Sequence, residues 1–118
     1  MPVTEAASPI FSTEIKHFPD DVVLVLCHGR LVTGTADILY TTVRGLIPTS
    51  KRVVLDLSDL QHTDSMGLGT LVRLYVAAKS AGSSLELMHL SKQIRQLLGL
   101  TNLFGVFTVI GENGVRFM

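Results

Sequence analysis

The sequence predicts a single α/β domain: a mixed, mostly parallel β-sheet with helices packed on it. Three observations carry this. Runs rich in Val, Leu and Ile recur at Val22–Cys27, Val53–Leu57, Leu85–Met88 and Val106–Ile110. Such near-continuous apolar stretches suit strands buried on both faces. Segments of helical periodicity separate most of them, and that alternation is the signature of strand–helix–strand units with parallel pairing. Finally, 118 residues suit one domain and suffice for a core without metal or disulfide support.

The elements follow in order. Residues 1–10, with Pro2 and Pro9, read as a flexible leader; the domain spans 11–111, and 112–118 form a short tail. Phe11–His17 alternates weakly and is expected as an edge strand. Pro19-Asp20-Asp21 is a turn signal, so the first two strands pair antiparallel. After Val22–Cys27, Gly29 and Thr33-Gly34-Thr35 break the chain. From Ala36, Leu39, Tyr40, Val43, Leu46 and Ile47 fall on one helical stripe, which Pro48 ends. Ile38 lies off that stripe. Lys51-Arg52 leads into Val53–Leu57, and Ser58, Asp59, Gln61, His62 and Thr63 read as a polar loop. A long helix then opens at Asp64-Ser65, with Leu68, Leu71, Val72, Tyr75, Val76 and the stem of Lys79 inward, and Gly82 as its C-cap. Leu85–Met88 is a further core strand. Ser91 caps a short helix with Ile94, Leu97 and Leu98 inward, closed by Gly99 and Asn102. Val106–Ile110 is the last strand.

Composition removes several functional classes. Ten basic and ten acidic residues balance, so the electrostatic footprint of a nucleic-acid binder is missing. The longest apolar run, Val22–Cys27, is far short of the ~20 residues of a membrane helix, so no membrane insertion is expected. No basic-then-apolar leader marks a signal peptide. Cys27, the single cysteine, reads as an inert core residue in a reducing, cytoplasmic setting. His17, His28, His62 and His89 lack metal-ligand spacing, so neither metal nor cofactor is expected. There is no glycine-rich phosphate loop. Nor is there a Gly-x-Ser-x-Gly elbow with an oriented base. No catalytic residue can be assigned and no enzyme is expected.

The informative stretch is Val53–Gly69, VVLDLSDLQHTDSMGLG. A strand leads through a polar segment to a helix that starts at Asp64-Ser65. A helix N-terminus leaves backbone N–H groups unpaired and carries about half a positive charge. Asp64 or Ser65 can cap them, and plain capping is what such residues usually do. A hydroxyl there can also hold a phosphate. Gly67 and Gly69 weaken the first turn by ~1 kcal/mol each relative to Ala. They serve either tight packing on the sheet or close approach by another molecule. Thr63 reads as a loop hydroxyl.

This segment, LDLSDLQHTDSMGLGTLV at 55–72, resembles the STAS domain, in particular the bacterial anti-sigma factor antagonists. The likeness continues through Ala78–Gly82, Leu85–Met88, Ile94–Leu98 and Leu100–Phe104. The resemblance implies a STAS-like domain and a phosphorylation switch. Ser65 matches the serine phosphorylated by a partner kinase that is also the anti-sigma factor. The unphosphorylated form binds that partner, the phosphorylated form does not, and a phosphatase restores it. The implied partner surface comprises Asp64, Ser65, Met66, Gly67, Leu68, Gly69 and Arg73, with Asp56, His62 and Thr63 as a supporting loop. The alternative is a STAS scaffold subunit of a larger signalling or lipid-transport complex. Two departures stand out. Family members often carry an acidic Gly-Glu-Leu-Asp-like stretch where this chain has Gly29-Arg30-Leu31-Val32, and Met66 replaces a frequent serine.

Overall fold

The computed structural model describes residues 11–110; the expected leader and tail lie outside them. The elements are β1 (Phe11–Phe18), β2 (Val22–Leu31), α1 (Ala36–Leu46), a short 3-10 turn (Ile47–Thr49), β3 (Arg52–Thr63), α2 (Ser65–Ser80), β4 (Ser84–Met88), α3 (Lys92–Leu100) and β5 (Thr108–Ile110). They form a five-stranded sheet in the order β1-β2-β3-β4-β5. β1 is antiparallel to β2 and the remaining pairs are parallel. This is the α/β domain with a mixed, mostly parallel sheet that the sequence predicts.

All three helices feed one core. Leu39 and Val43 of α1, Leu71 and Leu74 of α2, and Ile94 and Leu98 of α3 pack with Val23, Val25, Val53, Leu55 and Leu87 of the strands. The opposite sheet face holds a smaller cluster of Val22, Leu24, Val54 and Ile110, with Phe18, Leu26 and Met88 against it. On that face Arg52 on β3 and Glu86 on β4 form a two-point fork, Nε–Oε2 2.9 Å and Nη2–Oε1 2.7 Å. Burial pushes the Glu86 carboxyl up, but hydrogen bonds from Arg52 and Ser84 hold it below its ordinary value.

Several boundaries differ from the sequence reading. β2 and β3 run on to Leu31 and Thr63, so the expected polar loop 58–63 is strand. Two register shifts, at Leu26/His28 and Gly29/Arg30, each place one extra residue on β3. Each bulge disturbs the in–out alternation, which is why the segment looks like a loop. The inward stripe of α2 uses Leu74, fully buried, while Val76 is 55% exposed. Val76 was expected inside because it is apolar, but its angle on the helix turns it away from the sheet. β5 is confined to Thr108–Ile110, since Val106 lies in a turn and Phe107 at a bend. Gly99 falls inside α3. Asn102, with φ 59°, takes the left-handed conformation beyond the helix end. Gly82 does the same after α2 with φ 77°. There Ser83 N donates to Ala78 O (2.8 Å) and Gly82 N to Lys79 O (3.2 Å), the Schellman closure.

His28 stitches three strands: Nε2 meets Glu14 Oε2 of β1 at 2.7 Å and Nδ1 meets Asp59 Oδ2 of β3 at 2.6 Å. The hydrogen bond to Asp59 raises the imidazole pKa, and, with Glu14 adding to it, outweighs the opposing desolvation.

Two predictions follow from this packing. Leu74→Ala should cost ~2–5 kcal/mol, whereas Val76→Ala should stay within ~0.5 kcal/mol, read from urea midpoints at unchanged slope. A pKa raised in the folded state stabilises fully below the unfolded value of about 6.5 and fades as pH rises through the folded value. The wild-type midpoint should therefore drop between about pH 6 and about pH 8.5 by more than that of His28→Gln. Equal drops would remove His28 from the account.

Candidate functional site

The site grows from one carboxylate. Asp64 is extended (φ −105°, ψ −172°) and is the N-cap of α2. Its Oδ1 accepts from Gly67 N at 3.0 Å, the usual capping bond. Its Oδ2 accepts from Thr33 N at 3.0 Å and from the Thr33 hydroxyl at 3.3 Å. One side chain thus joins the start of α2 to the β2–α1 loop. The Gly67 and Thr33 amides hold the Asp64 carboxyl below the ordinary carboxylate range, so it is ionised at neutral pH.

The loop it grips is itself braced. Thr35 is buried; its hydroxyl accepts from Val32 N (3.0 Å) and donates to Arg30 O (2.6 Å). The Asp64 amide donates to the Leu31 carbonyl at 3.4 Å. That carbonyl lies directly against Gly67, where any Cβ would overlap it. Glycine is therefore required at 67 by the close approach of β2 and α2. At Gly69 a Cβ meets nothing within 4 Å.

Ser65 is the first helical residue and is exposed, as is Met66. Gly67 and Leu68 are buried. Leu68 is drawn into the core, and Gly67 lies against the Leu31 carbonyl. On the far side of the site, Gln93 of α3 takes the end of β3. Its Oε1 accepts from Thr63 N (3.0 Å), and its Nε2 donates to His62 Nδ1 (2.9 Å). Thr63 is strand rather than loop, and its buried Oγ1 finds no partner among the described residues.

Two expected members lie elsewhere. Asp56 is mid-strand, seven residues before the end of β3, which is roughly 20 Å along a strand. It is occupied by Ser58 N (2.9 Å) and His89 Nδ1 (3.0 Å). Burial raises its pKa, but these hydrogen bonds win and lower it. Arg73 stands two turns along α2, with its guanidinium 4.1 Å from the Tyr40 ring centroid. It belongs to the groove between α1 and α2, not to the helix start. Conversely, the sequence reading missed Thr33, the Leu31 carbonyl and Gln93. Thr33-Gly34-Thr35 was visible only as a break, and nothing in the short α3 pattern singled out Gln93.

Among the described residues no group of three or more His, Cys, Asp or Glu is placed to hold a metal. Burial raises the Cys27 thiol to about 12, with Asp56 adding to it, so this cysteine is not a reactive thiolate. No helix among the described residues is long and apolar enough to cross a membrane. The arrangement can display one hydroxyl at the positive end of a helix, beside a fixed anionic neighbour.

The STAS domain family model matches residues 13–113, and the chain belongs to that family. A sequence relative, the anti-sigma-B factor antagonist of Bacillus subtilis, is 25% identical over 107 residues, covering 89% of this chain and 97% of the relative. An anti-sigma factor antagonist from Mycobacterium paratuberculosis has the same fold, with TM-score 0.74 and 22% identity over 84% of each chain. So does the Bacillus antagonist SpoIIAA. In its unphosphorylated form it gives TM-score 0.71 and 14% identity, covering 86% of this chain and 90% of that one.

The two glycines separate packing from access. Gly67→Ala should destabilise by ~1–3 kcal/mol or more, since backbone must move to admit the methyl. Gly69→Ala should stabilise by ~0.5–1 kcal/mol through helix propensity. Urea unfolding of the two variants checks both signs.

Proposed function

We propose that this STAS-domain chain is a non-enzymatic binding module of the anti-sigma factor antagonist kind, switched by reversible phosphorylation of Ser65. The observation that carries the reading is the exposed Ser65 hydroxyl at the first position of α2, next to the ionised Asp64. Its partner is a serine kinase that is also an anti-sigma factor, with a phosphatase to reset the switch. The setting is the cytoplasm. Support comes from the sequence relative, itself named an anti-sigma-B factor antagonist. A protein of the same fold exists in both unphosphorylated and phosphorylated forms.

The physics of the switch is local. Phosphate brings about −1.5 to −2 charges at pH 7. The positive helix end tolerates it within the chain. Asp64 is already spent on Gly67 and Thr33, so its charge stays in place and adds to that of the phosphate. A partner surface fitted to a neutral hydroxyl beside exposed Met66 then meets like charge and a desolvation cost. A loss of ~3 kcal/mol lowers affinity more than a hundredfold. Arg30, where relatives often carry acid, sits on β2 in register with His62. It gives this chain a basic contact beside the site and a partner of correspondingly acidic surface there.

Intact-mass analysis after incubation with a cognate anti-sigma factor kinase and ATP should reveal one added phosphate, absent in Ser65→Ala. Ser65→Asp should bind that kinase at least about a hundredfold more weakly by calorimetry. A phosphate that survives Ser65→Ala, or undiminished binding by Ser65→Asp, contradicts the assignment.

A further inference from the structure

Beyond the helix start, the groove between α1 and α2 has a character that the Ser65 switch does not use. Tyr40 and Arg44 of α1 and Val72, Arg73, Val76 and Ala77 of α2 line a surface cavity of about 610 Å³. Its walls are mostly apolar, and Val76 is held open to solvent. Both of its charges are positive. Arg73 lies over the Tyr40 ring at 4.1 Å and Arg44 approaches the same centroid at 5.8 Å, so the two guanidinium carbons are at most about 10 Å apart.

Stacking on an aromatic face fixes a guanidinium while leaving its in-plane donors free. Among the described residues, the ion-paired carboxylates belong to His28, Arg52 and His89. None pairs with Arg44 or Arg73. Two preset, unneutralised forks beside an exposed valine ask for carboxylates flanking an apolar group. Side chains one helical turn apart on a partner helix have Cβ atoms roughly 6 Å apart, which lies within that upper bound. The cavity is an open trough between two helices, the geometry in which amphipathic helices are received.

We propose that this groove docks an acidic amphipathic helix of a partner protein, with two carboxylates a turn apart on Arg44 and Arg73 and an apolar side chain against Val72 and Val76. The contact deepens the reading of the chain as a protein-binding module and rests on it only for the ligand being a protein. It stands apart from the switch, because Arg73 is ~12 Å along α2 from Ser65.

The test is fluorescence anisotropy with a labelled helical peptide bearing Glu at i and i+4 and Leu between them. Wild type should bind it saturably, with affinity falling as salt rises. The Arg44→Ala/Arg73→Ala double variant, Val76→Glu, and a Glu→Gln peptide should each weaken binding at least about tenfold, with thermal midpoints near wild type for the variants. Ser65→Asp should leave binding unchanged, so a failed switch and a failed groove are told apart. Three outcomes overturn the proposal. One is no saturable binding. Another is equal binding by the double variant. The third is equal displacement by free glutarate, which assigns the groove to a small anion.

Discussion

The Asp64 carboxylate is the interaction on which the site depends. One oxygen caps α2 through Gly67, and the other holds Thr33 in the loop before α1. This works because β2 and β3 end side by side, with Leu31 opposite Thr63, so the chain segments leaving them meet. It also needs a residue without a side chain at 67, where the Leu31 carbonyl presses on the helix. Removing the carboxylate would free two amides and leave the Ser65 hydroxyl on a fraying helix end.

The sheet order explains why everything functional collects on one side. Strands added in sequence order with like-handed crossovers put their helices on a single face, and the shared core of α1, α2 and α3 has that arrangement. The N-termini of α1 and α2 then lie over the same edge of the sheet, and their flanks form one groove. The opposite face adds polar stitches to its small apolar cluster: the Arg52–Glu86 fork and the His28 bridge to Glu14 and Asp59.

Much of this was legible in the sequence, for physical reasons. The apolar runs at Val22–Cys27, Val53–Leu57 and Leu85–Met88 mark the central strands because both faces are buried there. Asp64 before an apolar-periodic run marks the start of α2, and Ser91 that of α3, because caps need short oxygen acceptors. The far half of β3 was not legible: two bulges move its side chains between faces, and Ser58, Asp59, Gln61 and His62 mimic a loop. The partners of Asp64 were hidden too. Thr33 is 31 residues away in sequence, and a backbone carbonyl such as that of Leu31 leaves no trace in residue type. Gly67 was visible, but its role was not. Close packing and partner access ask for the same residue, and only the position of Leu31 separates them.

A single carboxylate is the shared acceptor of two distant amides. A pH titration by NMR, following the Asp64 carboxyl carbon with the Thr33 and Gly67 amide protons, tests that most directly. The account predicts one common transition at all three nuclei, below the ordinary Asp value of about 3.9. A transition at or above that value, or separate midpoints at Thr33 and Gly67, would contradict it.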